Sequence, residues 1–220
     1  MKILCLATHA DDETLGCGGT LLRHRAEGDE IAWLIATIPT KDHFSPDFLA
    51  QRARQIENVA RAYKFVETSF LGLPATGVAA IPDGHVVSAL AAELDRLVPD
   101  VLYLNHGGDV HSDHRAIFSA AMASTKPFRR GRSIKRIFAY ETISETEQSF
   151  GHSSEFRPNS FVDISAHIDE KISILEMYEG ETQPFPMPRE ASAVRAQARV
   201  RGATFGVPFA EAFMLIRDFR

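Results

Sequence analysis

The chain has 220 residues, enough for one large domain rather than two small ones. Hydrophobic residues make up 45% of it and charged residues 24%, which excludes collagen-like, coiled-coil and disordered proteins. A net charge of -5 argues against a nucleic-acid partner, because contact with a phosphate backbone requires clustered lysine and arginine.

The cysteines and the apolar runs indicate the compartment. Cys5 and Cys17 are too few for a disulfide framework, and we expect two reduced thiols. The apolar run at residues 3–7 is too short for a signal peptide, and no run approaches the about 18 residues of a membrane span. We therefore expect a soluble, cytoplasmic protein without a membrane partner.

Short apolar runs alternate with amphipathic segments along the first 140 residues. The pattern predicts strands at 2–8, 30–37, 68–71, 100–105 and 135–140, and helices at 14–24, 46–63, 86–97 and 114–124. Alternation of this kind is typical of right-handed βαβ units. We predict an α/β fold, a Rossmann-like, doubly wound and mostly parallel sheet with helices on both faces.

The chain changes in character after Glu141. Residues 144–159 are polar and lack a period, which predicts a loop, a lid or an arm between subunits. A strand at 161–165, helices near 168–178 and 191–200, and a strand at 211–216 follow. We predict a single domain over residues 1–220, with 160–220 as its C-terminal extension.

The last part of the chain, from Arg189 onward, contains more arginines than acids. A solvated helix face or a subunit interface explains such an excess, and so does a group that binds an anionic substrate.

The first candidate site stands where the first strand ends, at Thr8-His9-Ala10-Asp11-Asp12-Glu13. A histidine and an aspartate three residues later, in a turn, can bind one metal ion, and the neighbouring carboxylate is left to act as a base. The alternative is a polar turn whose acids cap the next helix.

The second candidate site follows the fourth strand, at Asp109-Val110-His111-Ser112-Asp113-His114. Two histidines three residues apart offer one metal ligand and a second imidazole oriented by a carboxylate. A solvated surface turn is the alternative. If residues 112–114 are helical, Asp113 points away from His111, so a hydrogen bond between these side chains requires a loop.

The predicted topology joins the two motifs. In doubly wound sheets, ligands bind beyond the carboxyl ends of the strands at the point where strand order reverses, between the first and fourth strands. We therefore expect the motifs to face each other across one crevice.

A glycine-rich segment follows the first motif, at Gly16-Cys17-Gly18-Gly19. It does not complete a dinucleotide fingerprint, because Leu21 occupies the third glycine position. We expect these glycines to let the helix pack closely against the sheet.

Both motifs resemble those of the PIG-L/LmbE-like family of metal-dependent N-acetylglucosaminyl deacetylases. The family's A-H-P-D-D-E motif is similar to Ala7-Thr8-His9-Ala10-Asp11-Asp12-Glu13. Its H-P-D-H motif is similar to His111-Ser112-Asp113-His114. Further similarity lies in Arg54-Gln55-Ile56-Glu57, Phe161-Val162-Asp163-Ile164-Ser165, Lys171, Tyr178 and Ala210-Glu211-Ala212-Phe213. Ala75 stands where the family often has an acid that contacts sugar hydroxyls.

The resemblance implies that His9, Asp12 and His114 bind one Zn²⁺ per chain and that Asp11 is the general base. Three N/O ligands leave a fourth position for water, whose pKa a catalytic zinc lowers from about 15.7 to about 7. Nitrogen and oxygen ligands also admit Fe²⁺, Co²⁺ or Ni²⁺.

The resemblance also implies roles beside the metal. His111, oriented by Asp113, is expected to stabilise the oxyanion or to protonate the leaving amine. Arg54 matches an arginine that reaches the substrate, although a surface ion pair with Glu57 is an alternative.

The expected function is removal of an N-acetyl group from an amino sugar or its conjugate, nucleotide-linked ones included, with release of acetate. The resemblance implies a small-molecule substrate and a homo-oligomer. The alternatives are an amidase of a larger acyl or thiol conjugate and a non-catalytic metal-binding domain. A phosphoesterase is disfavoured because two-metal sites require more carboxylates.

Overall fold

Seven strands form one sheet in the computed structural model, which describes residues 1–128, 133–149 and 155–219. The strands are β1 (Lys2–Ala7), β2 (Glu30–Ile38), β3 (Glu67–Pro74), β4 (Val101–Asn105), β5 (Arg136–Tyr140), β6 (Ser160–Asp163) and β7 (Ala210–Asp218). The helices are α1 (Asp12–Ala26), α2 (Pro46–Tyr63), α3 (Asp83–Leu97), α4 (Ser112–Ser124), α5 (Ile168–Leu175) and α6 (Ala191–Phe205).

The sheet is doubly wound, as predicted. Its order is β3-β2-β1-β4-β5-β7-β6, and the first five strands run parallel. Strand β7 pairs antiparallel with both β5 and β6. Because β1 lies between β2 and β4, strand order reverses at β1, and the β1 and β4 carboxyl ends form one edge of the sheet.

The core lies on both faces of the sheet, since alternate residues of β1 enter two separate apolar clusters. Ile3 and Cys5 pack with residues of α1, α2 and α5, whereas Leu4 and Leu6 pack with residues of α3 and α4. Burial on both faces explains why β1, β2 and β4 are nearly continuous apolar runs in the sequence.

Glycines let α1 approach the sheet closely, which confirms the packing prediction. A Cβ atom added at Gly16 would lie 2.0 Å from the Tyr140 ring, and one at Gly19 would lie 2.8 Å from Ile164.

Cys5 and Cys17 are free and buried, with their Sγ atoms 3.6 Å apart.

A buried ion pair ties the C-terminal residues to α1. The non-helical backbone of Cys17 interrupts α1, and the Glu211 carboxylate accepts hydrogen bonds from the amides of Gly19 and Thr20 at 2.8 and 2.7 Å. Lys171 neutralises Glu211 at 2.7 Å. The carboxylate therefore caps the second half of α1, where the kink leaves amides free.

Several element boundaries differ from the prediction. Helix α4 begins at Ser112 rather than at residue 114, α5 ends at Leu175, and β3 spans eight residues instead of four. Residues 150–154 of the predicted loop lie outside the described residues. Within the described part of the chain, no helix combines the length and apolar character needed to span a membrane.

Candidate active site

Three predicted metal ligands converge at the shared edge of β1 and β4. His9 Nδ1 lies 3.2 Å from His114 Nε2 and 3.6 Å from Asp12 Oδ2, and the latter two atoms are 3.3 Å apart. Ligands bound at 2.0–2.1 Å around a tetrahedral zinc ion lie about 3.3 Å from one another. The spacing of these three atoms therefore matches that of a metal-binding set.

The hydrogen-bond partners of the two histidines fix which ring nitrogens face this point. His114 Nδ1 lies 2.8 Å from Asp109 Oδ2, and His9 Nε2 lies 3.2 Å from Asp113 Oδ2. Carboxylates only accept, so these nitrogens donate, and the other nitrogen of each ring presents a lone pair when the ring is neutral. Two such nitrogens 3.2 Å apart repel each other unless a proton or a metal cation lies between them. The residues present fit a divalent cation.

The same carboxylates raise the pKa values of both histidines. Burial lowers the pKa of His9, but its contacts with Asp113 and Asp12 outweigh burial and raise the pKa to about 9. Burial also lowers the pKa of His114, and Asp12 and Asp109 raise it to about 10. Burial raises the pKa of Asp12, yet the two histidines hold it well below its usual range.

Asp11, the predicted base, is buried beside the ligand cluster at the N-cap of α1. Its φ of 148° is a strained value for a residue with a side chain. Burial raises the pKa of Asp11 to about 6, and the Arg189 guanidinium opposes this rise. Arg189 Nη1 donates to Asp11 Oδ2 at 2.8 Å.

Glu13 holds the strained turn from inside the protein. Its Oε2 accepts a hydrogen bond from the Asp11 amide at 3.1 Å, and its Oε1 accepts from Tyr178 and Thr14, both at 2.6 Å. Burial raises the pKa of Glu13 to about 7. The sequence-based prediction assigned Glu13 no role, although its place in the acidic run was a usable signal.

The predicted orientation of His111 by the Asp113 carboxylate is wrong. Because α4 begins at Ser112, His111 is the N-cap, and its Nδ1 accepts a hydrogen bond from the Asp113 amide at 3.1 Å. The Asp113 carboxylate instead accepts from the amides of Thr76 and Val78 and contacts His9.

The environment keeps the His111 ring neutral. Burial, followed by the neighbouring His9 and His114, lowers the pKa of His111 to about 4. Since Nδ1 of the neutral ring accepts from the Asp113 amide, the proton resides on Nε2. His111 lines the cleft with this N–H available as a donor.

The predicted substrate residue Arg54 is exposed on α2 and is not among the residues that line the cleft. Arg52 lines it instead. Arg52 is 8% exposed, donates to the Ala10 carbonyl at 2.8 Å and pairs with Glu181. Two residues along a helix are about 200° apart, so only one of these arginines can face the cleft.

The cleft above the ligand cluster has a volume of about 280 Å³. One wall is apolar and contains the Phe44 and Phe48 rings, stacked at 4.7 Å. The cleft is lined by His9, Ala10, Asp11, Thr37, Pro39, Phe44, Phe48, Arg52, Ile56, Ala75, Thr76, His111, Glu145, Glu181 and Arg189. It thus combines an apolar wall with charged groups beside the candidate base.

Fold and site together define a doubly wound α/β protein with a candidate mononuclear metal centre beside a buried carboxylate. A sequence model of the family described as PIG-L, GlcNAc-PI de-N-acetylase, matches residues 4–125. The match covers more than half of the chain and both motifs, and the chain belongs to this family.

Individual relatives agree with this assignment. The chain is 31% identical over 147 residues to the uncharacterized deacetylase YaiS of Escherichia coli strain K12, covering 64% of this chain and 74% of that protein. It is 24% identical over 200 residues to a 1D-myo-inositol 2-acetamido-2-deoxy-alpha-D-glucopyranoside deacetylase of Saccharomonospora viridis, covering 77% of this chain and 73% of that one.

A solved structure extends the similarity over almost the whole chain. The conserved protein TT1542 of Thermus thermophilus superimposes with a TM-score of 0.76 at 29% identity. The superposition covers 96% of this chain and 93% of that one, so it includes the C-terminal strands and helices beyond residue 125.

Proposed function

We propose that this protein is a zinc-dependent hydrolase that removes the N-acetyl group from an amino sugar or its conjugate, releasing acetate and the free amine. The observation that carries the proposal is the convergence of His9 Nδ1, His114 Nε2 and Asp12 Oδ2 beside the buried Asp11 carboxylate. Two relatives whose names give an activity are deacetylases, one of them acting on an N-acetylated sugar conjugate.

In this proposal, His9, Asp12 and His114 hold the metal. A divalent cation bound there polarises the acetamide carbonyl and lowers the pKa of a water molecule. Asp11 accepts a proton from the attacking water while the water oxygen bonds to the carbonyl carbon. The same proton then passes from Asp11 to the amine nitrogen as the C–N bond breaks, which gives the neutral amine and acetic acid. The acid then loses its own proton, which came from the same water molecule, and leaves as acetate.

His111 supports the carbonyl oxygen. With its Nδ1 bonded to the Asp113 amide, the ring presents Nε2–H to the cleft, and a neutral donor of this kind stabilises a developing oxyanion. Of the two roles expected for His111, oxyanion stabilisation therefore agrees better with its surroundings than protonation of the amine.

The cleft supports an amino-sugar substrate. Stacked aromatic rings offer a surface to the C–H face of a sugar ring, and Arg52, Glu145 and Glu181 offer donors and acceptors to its hydroxyl groups. Ala75 lies in the same cleft, so hydroxyl recognition depends on these other side chains.

The test is acetate release by purified wild type and Asp11→Asn, each with its zinc content measured. The panel contains N-acetylglucosamine, its nucleotide-linked and glycoside derivatives, and non-sugar acetamides. We expect about one zinc in both proteins and acetate release from sugar acetamides by wild type alone, because a general base contributes about 10²- to 10⁴-fold. Release from non-sugar acetamides alone, or zinc binding without any release, would contradict the proposal.

A further inference from the structure

Arg189 reaches the candidate base from a distant part of the chain. It follows the proline-rich residues 183–188 and has a side chain only 20% exposed. Its Nη1 donates to Asp11 Oδ2 at 2.8 Å and to Glu181 at 3.3 Å. Its Nε and Nη2 donate to Ser144 at 3.0 Å and Glu145 at 3.4 Å. The guanidinium is therefore fixed by four acceptors.

Different groups hold the backbone and the side chain of Asp11. Its backbone is held by Glu13 and by the first turn of α1. Within the described parts of the chain, the hydrogen bond to its carboxylate comes from Arg189. Engagement of Oδ2 leaves Oδ1 available to take a proton.

A second arginine, Arg52, holds Ala10, the residue before Asp11, and shares the Glu181 carboxylate with Arg189. Glu181 pairs with both Arg189 and Arg52, and Arg52 donates to the Ala10 carbonyl. Arg189 and Arg52 thus bind adjacent residues of the strained turn from the cleft side, with Glu181 bridging them. Glu13 holds the same turn from the core side.

We propose that Arg189 is a positioning residue for Asp11, which it holds in the orientation needed to accept a proton. The inference rests on the proposed function and concerns a residue beyond the matched positions 4–125. Three carboxylates already engage the guanidinium, which favours positioning over the alternative that Arg189 binds an anionic substrate.

Steady-state kinetics on the sugar acetamide cleaved best by wild type provide the first test. We expect Arg189→Met to lower kcat about 100-fold, because misplacement of a catalytic group costs about that much, with KM and zinc content unchanged. Arg189→Lys keeps a cation beside Asp11 and recovers part of the loss. Arg195→Met is the matched control, since Arg195 pairs with Asp169 on the surface, and its kcat stays at the wild-type value.

Crystal structures of the zinc-loaded wild type and Arg189→Met provide a readout independent of activity. We expect the Asp11 carboxylate to change its rotamer in Arg189→Met and to keep it in Arg189→Lys. An unchanged Asp11 in Arg189→Met, or a loss confined to KM, would overturn the inference. If wild type releases no acetate, the proposed function fails, and the Asp11 rotamers still decide whether Arg189 positions this residue.

Discussion

The Asp113 carboxylate contacts His9 Nε2 at 3.2 Å, while its own backbone amide donates to His111. Asp113 therefore contacts both histidines: its side chain contacts His9, a candidate metal ligand, and its backbone amide contacts His111, which lines the cleft. Asp109 serves His114 in the same way as Asp113 serves His9. Each candidate histidine ligand thus has its own orienting carboxylate.

This arrangement predicts that Asp113→Asn weakens zinc binding. Loss of a carboxylate that orients a ligand histidine costs about 10- to 100-fold in metal affinity. Zinc titration against a competing chelator measures the effect, and Asp109→Asn is expected to give a loss of similar size. If Asp113 acted on His111 alone, kcat would fall while zinc affinity stayed at the wild-type value.

Zinc uptake is predicted to release protons near neutral pH. The pKa values of about 9 for His9 and about 10 for His114 in the metal-free protein lie above the ordinary value of 6.5, so zinc must displace protons that these side chains hold. Calorimetry in two buffers of different ionisation enthalpy measures the number released, which we expect to be at least about one. Buffer-independent enthalpies would contradict this prediction.

The same pKa shifts predict how the stability of the metal-free protein depends on pH. Folded-state pKa values raised above 6.5 contribute stability that is present below pH 6.5 and is lost as the pH rises through about 9 to 10. Urea unfolding of metal-free wild type is expected to give a lower free energy at pH 9 than at pH 6.5. The double variant His9→Gln with His114→Gln is expected to lose this difference.

Gly16→Ala is predicted to destabilise the fold by about 1–3 kcal/mol or more, because overpacking strains the core. The added methyl group would lie 2.0 Å from the ring of Tyr140, a buried core residue. Gly84→Ala in α3 is the control, since its Cβ meets nothing within 4 Å, and alanine there is expected to be neutral or stabilising. Equal denaturation midpoints for the two variants would contradict the close packing of α1.

Arg52→Met is predicted to lower kcat/KM about 10- to 100-fold, because a hydrogen bond from a charged group contributes about 1.5–3 kcal/mol. Arg54→Met, two positions along the same helix, is expected to match wild type because Arg54 is exposed away from the cleft. The reverse ranking of the two variants would restore the assignment made from the sequence.

Sequence patterns predicted the fold and the placement of the two motifs because both depend on local features. The alternation of apolar runs predicted the parallel sheet, and the reversal of strand order at β1 placed the two motifs on one edge. The family resemblance, rather than spacing, selected His114 over His111, and the structure brings His9, Asp12 and His114 together.

The remaining errors have two physical causes. The partner of Asp113 depends on whether α4 begins at residue 112 or 114. Arg54 was assigned from the family resemblance, whereas the phase of α2 turns Arg52 toward the cleft. The residue at which a helix begins is set by its cap and by tertiary contacts rather than by the periodicity of the sequence. Arg189 lies 178 positions from Asp11, and nothing local in the sequence links the two.

The most direct test of the account is the anomalous diffraction of a crystal grown with zinc. We expect one strong peak within about 2.0–2.2 Å of His9 Nδ1, His114 Nε2 and Asp12 Oδ2. A peak at a separate cluster of candidate ligands, His24, Glu27 and Asp29, with none at the first site, would contradict the central claim.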